Sequence, residues 1–361
     1  MKKFLALFFA LTMTTALLGG CGSSSTESKG NSASTEAPSS QAETTKTAET
    51  TKQPAAEGDL AFYEGNTIIG QSSWIGFAPM YLAEQKGFFK NHGADVSIQL
   101  FESKTDSKSA LMAKRIQGMS TTIDTHVLNK ASGMDISVVL ALDTSAGGDG
   151  LIAKSDLKDV KSLAGHTVAL DTTGGASYFW FQYLLQKEGM TLDDVQAVNM
   201  SSGDAGAAFI AGEVDAAVTW EPWLSKAKET EGDSVMIDSS ATPGIILDAL
   251  AMDNDFIKSY PGTVRAIVSG WYDALDYIKS NPEDAYKIMA EYTGNDSGDS
   301  LKAAMESEIE LYDEAKNLSY FETDIYTIAD MASELWIDMG LINEVPDSKK
   351  MITGDYLERL K

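Results

Sequence analysis

Short bursts of alternating apolar and polar residues recur along the chain, each followed by a stretch with helical spacing. Residues 67–70 read as a strand. Residues 78–90 carry Met80, Tyr81, Ala83, Gly87 and Phe88 at helical spacing and stop at Asn91-His92-Gly93. Residues 95–101 alternate through Val96, Ile98 and Leu100, a strand pattern. Residues 106–118 read as a helix with Asp106 or Ser107 as N-cap, and 137–142 as a strand. The pattern then repeats: strand 168–170, a glycine-rich turn, helix 178–187, strand 196–200, helix 204–211 and strand 216–220. From Asp255 onward the spacing is helical, over 263–280, 282–292, 300–313 and 326–339, with Pro261 and Pro282 at helix starts. Alternating β and α units predict an α/β fold of parallel-rich sheets flanked by helices. Two such series predict two lobes, as does a folded part of about 300 residues, more than one core usually supports.

The first residues obey a different pattern. Lys2 and Lys3 precede an apolar run from Phe4 to Leu18, the size of a signal-peptide core and too short to span a bilayer. Leu18-Gly19-Gly20-Cys21 follows, and resembles the lipobox of bacterial lipoproteins. The resemblance implies a signal peptide over 1–20 and a diacylglycerol-modified, palmitate-bearing Cys21 as the mature N-terminus. A plain secretory signal with an incidental cysteine is the alternative. Residues 22–59 are Ser-, Thr-, Ala- and Glu-rich with almost no large apolar side chains, so the segment over 21–65 reads as a disordered tether. Cys21 is the only cysteine, so no internal disulfide can form.

Charge narrows the partners. There are 53 Asp and Glu against 28 Lys and Arg, a net charge of −25. That balance argues against nucleic acid and against docking on anionic lipid. The only arginines are Arg115, Arg265 and Arg359.

The run Ser72-Ser73-Trp74-Ile75-Gly76-Phe77-Ala78-Pro79-Met80-Tyr81-Leu82-Ala83, with Lys86-Gly87-Phe88-Phe89 after it, resembles the opening of solute-binding proteins of ABC importers. The matching group handles nitrate, sulfonates, taurine and thiamine precursors. Ala211-Gly212-Glu213-Val214-Asp215-Ala216-Ala217 and Trp220-Glu221-Pro222-Trp223 resemble the second-lobe signature of the same group. The resemblance implies a two-lobed periplasmic-binding-protein fold of type II, closing on ligand like a clam. It puts the first lobe at 66–150 and 251–361, the second at 151–250, and crossing strands near 151–154 and 247–252. It also implies a monomer, held at the outer face of the membrane through Cys21, that hands its ligand to a permease driven by a cytoplasmic ATPase.

In open α/β sheets, ligands bind beyond the carboxyl ends of strands. That rule nominates Ser72, Ser73 and Trp74, then Thr122 and Asp124, then Asp143, then Gly175 and Ser177 at a helix start. Trp220, Glu221 and Asp248 complete the set, and the family resemblance carries pocket roles onto the same places. Each has a plainer reading: Trp74 and Trp220 as core, Ser72 and Asp124 as caps, Gly175 as a turn glycine. These segments hold four acids and no Arg or Lys. A ligand with an amine or ring N–H donor is expected, its anionic end held by amides and hydroxyls, the two tryptophans facing a cationic or flat group. Taurine or another aliphatic sulfonate fits best; an aminopyrimidine thiamine precursor or nitrate is the alternative.

No catalytic residue, metal site or cofactor is assigned. His92, His126 and His166 lack metal-ligand spacing and read as solvated. The rival from another class is a pyrimidine-precursor synthase of the same fold. Those enzymes resemble one another in a cysteine-rich motif that this chain lacks.

Overall fold

The computed structural model describes residues 60–231 and 235–360. Cys21, the signal segment and the tether to residue 59 lie outside them. Eleven strands are present among the described residues: β1 Thr67–Gln71, β2 Val96–Leu100, β3 Gly118–Thr122, β4 Ile136–Ser145, β5 Asp149–Ala153, β6 Thr167–Leu170, β7 Gln196–Asn199, β8 Ala216–Trp220, β9 Val235–Asp238, β10 Leu247–Asp253 and β11 Ile309–Leu311. They form two sheets, one of order β11-β4-β10-β3-β1-β2 and one of order β7-β6-β8-β5-β9, each flanked by helices.

The sheets are more mixed than the alternation predicts. β1 pairs in parallel with β2 and β3, and β6 with β7 and β8. β10 is antiparallel to β3 and β4, β11 to β4, and β5 to β8 and β9. The antiparallel strands β5 and β10 are those by which the chain enters each sheet from the other. It passes to the second sheet between Ser145 and Asp149 and returns between Asp238 and Leu247. Residues 151–153 and 247–252, expected as crossings, belong wholly to β5 and β10.

Local chemistry explains the other differences. Gly87, at φ +73°, breaks the expected helix 78–90 into Ala78–Lys86 and Phe88–Asn91, because this left-handed conformation suits glycine. The helix expected over 106–118 runs over Lys104–Met112, with Ser103 as N-cap accepting from the Asp106 amide. β3, which follows it, is polar in sequence yet buried along its whole length. The helix expected over 300–313 stops at Glu308, and Ile309–Leu311 pairs on the edge of the first sheet. Helices Pro261–Ser280 and Pro282–Thr293 begin at their prolines. Ordered structure already starts within the span read as tether: the Gly262 amide donates to the Ala61 carbonyl (2.9 Å), and the Tyr63 amide to Thr263 Oγ1 (2.8 Å).

One large core joins β1, β3, β4 and β10 to the C-terminal helices through Trp271, Tyr272 and Trp336. β4 is buried at all ten positions, as expected for a strand covered on both faces. No helix among the described residues is long and apolar enough to cross a membrane.

Candidate functional site

Four buried aspartates converge where the two sheets meet. Asp143 ends β4, and Asp248 begins β10 in register with it. On its other side Asp248 pairs with Thr122 at the end of β3. Asp149 opens β5, and Asp124 lies in the first turn of helix Ile123–Ala131. Their exposures are 0, 4, 4 and 2 % in that order. Carboxylates are almost never buried so deeply without a paired base.

Trp74 fixes the geometry on one side. Its Nε1–H donates to Asp143 Oδ1 at 3.0 Å. A side chain at Gly76 would sit 2.3 Å from Asp143 Oδ2 and 2.4 Å from Trp74 Nε1, so only glycine permits this contact. Trp74 also packs against Gly148, where an added Cβ would lie 2.6 Å from the ring.

A small cavity of about 40 Å³ lies between these groups. Of the residues the sequence nominated, Ser72, Trp74, Thr122, Trp220 and Asp248 line it. Asp124 and Asp143 stand behind the lining, each with one carboxylate oxygen (Oδ2) that has no hydrogen-bond partner. Gly175 stands at its edge, at φ +91°, next to the Lys104 ammonium. A larger cavity, of about 710 Å³, is an open groove lined by Leu341, Val345 and Pro346 that includes none of these aspartates.

Three nominated residues are not brought to the cavity. Ser73 does not line it. Ser177 is buried against Ser202, Oγ to Oγ 2.7 Å, while its neighbour Ala176 faces the space. Glu221 lies past the end of β8, in the turn before Pro222, and does not line the cavity. Its carboxylate accepts from the Ser225 amide (3.2 Å) and hydroxyl (3.0 Å) and lies beside Glu308.

Two charged residues of the cavity were not nominated. Lys104, the first residue of helix Lys104–Met112, lines it, so the expectation of a site without Lys or Arg is corrected. The carboxyl-end rule, applied to the segment after β2, points to Lys104. Asp149 also lines it; that rule misses Asp149 because the antiparallel β5 presents its amino end here, in register with Trp220. His126 corrects another expectation. It is fully buried, its Nε2 3.0 Å from the Ala249 carbonyl, because its helix packs on β10. Burial pushes its pKa down to about 4.

Burial dominates the electrostatics. It raises Asp143 to about 7, with the Trp74 hydrogen bond opposing, the Asp149 charge adding and a contact with Asp248 opposing. Burial raises Asp149 to about 6. Asp248 is pushed well above the usual carboxylate range by burial and then by Asp143, Asp149 and Asp124. Asp124 is raised by burial against its Thr122 hydrogen bond and the Lys104 charge. Burial thus favours the neutral form of these carboxyls. Among the described residues no three His, Cys, Asp or Glu side chains are placed to hold a metal ion.

Comparison with known proteins agrees with this architecture. A putative binding protein of Brucella abortus is 23 % identical over 308 residues, covering 84 % of this chain and 91 % of its own. A 4-amino-5-hydroxymethyl-2-methylpyrimidine phosphate synthase of Saccharomyces cerevisiae is 24 % identical over 296 residues, covering 77 % and 83 %. The crystal structure of the periplasmic aliphatic sulphonate binding protein SsuA of Escherichia coli superimposes with a TM-score of 0.64 at 19 % identity, covering 82 % of this chain and 99 % of its own. The family model described as NMT1/THI5 like matches residues 74–285, more than half of the sequence, and the chain belongs to that family.

Proposed function

We propose that this protein is the extracytoplasmic solute-binding component of an ABC importer, anchored through Cys21, with its ligand held between the two sheets. The observation that carries the proposal is the cavity lined by Trp74, Trp220 and the buried carboxylates of β5 and β10, with Asp143 of β4 held by Trp74 behind it. Ligand entry separates the two sides, and closure restores contacts such as Trp74 on Gly148, so the closed state binds more tightly. The two passages between the sheets are the natural hinges. The closed protein then docks on a permease.

The carboxylates call for a ligand with a protonated amine. Taurine, or another amino sulfonate, is the first choice: its ammonium faces Asp143, Asp149 and Asp248. An aminopyrimidine thiamine precursor is the second, favoured by two tryptophans beside several acceptors. Nitrate supplies no donor and fits least well. The yeast synthase relative raises an enzymatic alternative. Against it, Cys21 is the sole cysteine, so the cysteine-rich motif of such enzymes is missing.

Calorimetric titration of the full chain with taurine, alkanesulfonates, nitrate and an aminopyrimidine tests the reading. Amine-bearing compounds are expected to bind. Silence of taurine and every sulfonate at millimolar concentration would remove the leading ligand, and silence of all four classes would remove the cleft.

A further inference from the structure

Lys104 is the unusual member of the cavity. Its ammonium makes no hydrogen bond in a buried position, which is costly unless something else pairs with it. Three features surround it. The Trp220 ring lies 6.0 Å away, and the Trp220 Nε1–H, on a side chain 93 % buried by its 7 % exposure, also has no acceptor. The glycine turn opening the twelve-residue helix Ala176–Lys187 touches it: a Cβ at Gly175 would lie 2.2 Å from Lys104 Nζ. Thr125 Oγ1 lies 3.0 Å from that same position.

Unpaired donors and unpaired acceptors thus meet in one small cleft, with the Lys104 charge felt by Asp124, Asp149 and Asp248. Lys104 Nζ, Trp220 Nε1 and a helix start attract negative charge. The free oxygens of Asp143 and Asp124, with Asp248 and Asp149 beside them, attract positive charge. A simple cation would leave the donors unpaired, and a simple anion would leave the carboxylates unpaired and repelled.

We infer that Lys104, Trp220 Nε1 and the start of helix Ala176–Lys187 form an anion subsite beside the aspartates, so that the cleft takes a dipolar ligand: a cationic nitrogen at one end and a sulfonate, carboxylate or phosphonate at the other. The inference rests on the reading of this cleft as the ligand site. It adds which residue holds the acidic end, in place of the backbone amides and hydroxyls expected from sequence.

Three probes on the full chain separate the poles: methanesulfonate for the anion subsite, ethylammonium for the aspartates, and taurine for both. Binding is read by thermal shift and calorimetry on wild type, Lys104→Met and Asp248→Asn. Lys104→Met keeps the apolar stem and removes the charge. It is expected to weaken taurine and methanesulfonate at least tenfold and to leave ethylammonium unchanged or tighter. Asp248→Asn is expected to weaken taurine and ethylammonium and to spare methanesulfonate. If either variant fails to fold, Trp220→Phe, which removes the N–H donor together with part of the ring, should weaken methanesulfonate and taurine more than ethylammonium. If Lys104→Met strengthens all three probes, or leaves methanesulfonate unchanged, Lys104 is only a counter-ion of the aspartates. The anion subsite is then wrong while the cleft stands. If no probe binds any form, the cleft assignment falls with it.

Discussion

Two groups of aspartates in this protein are treated in opposite ways. Asp215, at the outer end of the second sheet, accepts from Lys154 Nζ at 2.5 Å, from the Thr167 amide at 3.0 Å and from Thr167 Oγ1 at 2.8 Å. Lys154, then Thr167, hold its carboxyl well below the usual range. Asp143, inside the cleft, receives one hydrogen bond from Trp74 and otherwise meets only another acid, Asp248. Burial and a neighbouring charge push it up instead of down. The first carboxylate is complete within the fold and supports it. The second is incomplete, costs the fold something, and is completed only by something brought from outside. The C-terminus follows the first pattern: Arg359 pairs with Asp273 at 2.9 Å and Asp276 at 2.8 Å.

The strongest way to break this contrast is to neutralise the cleft. Asp143→Asn with Asp248→Asn removes two charge-assisted contacts to the ligand, each worth about 1.5–3 kcal/mol. Taurine affinity should fall at least 100-fold by calorimetry, while Tm stays level or rises. A fall in Tm of many degrees with binding retained would mean that these groups are structural.

A second test uses pH. The cleft carboxyls have folded-state values raised above their unfolded ones, so the folded protein binds more protons than the unfolded chain between about pH 4 and 7. Their contribution to stability is greatest below the unfolded value and is lost as pH rises through about 6 and 7. The ligand-free protein should lose stability from pH 5 to 8, and the double Asn variant should lose less. Ligand binding runs the other way: an ammonium needs ionised carboxylates, so affinity should climb about tenfold over the same range, with protons released. Asp215, depressed, contributes only above its unfolded value near 4, and that contribution disappears in stronger acid.

Trp74→Phe keeps most of the ring and deletes the donor to Asp143. Affinity should change about five- to tenfold, and the pH midpoint of binding should move upward as Asp143 loses a bond that favours its charge. An unchanged midpoint would separate Trp74 from the carboxylate chemistry. Asp215→Asn should do the reverse, costing about 1–2 kcal/mol of stability in denaturant titration and leaving affinity within twofold. Arg359→Gln should be smallest, under about 1 kcal/mol, since its ion pairs are partly exposed.

The contrast also explains what was legible in the sequence. Strand β8 was read to the residue because Ala216–Trp220 is apolar and bounded by turn signals. Trp74, Asp143, Trp220 and Asp248 were reached because strand ends are places where functional side chains gather. β3 was not read: Gly118–Thr122 is polar in sequence, and only its position between β1 and β10 buries it. Misplacing it hid Ser103 as the true cap and Lys104 as the residue after it. His126 looked solvated among polar neighbours, yet tertiary packing seals it. Glu221 and Ser177 were nominated by proximity in sequence, whereas the turn after β8 and the turn of a helix decide which neighbour faces the cavity. Local pattern thus carried the elements and most of the site; pairing between distant segments carried the charge balance.

The most direct test of the central claim, that the bare carboxylates of the cleft await an amine, is a competition. The full chain is incubated at pH 7.5 with an equimolar mixture of taurine, ethylammonium, methanesulfonate, nitrate and 4-amino-5-hydroxymethyl-2-methylpyrimidine, desalted, and its retained ligand identified by mass spectrometry. The account predicts an amine-bearing compound, with taurine foremost, and its loss from the Asp143→Asn, Asp248→Asn variant. Retention of methanesulfonate or nitrate in preference to every amine, undiminished in that variant, would contradict it.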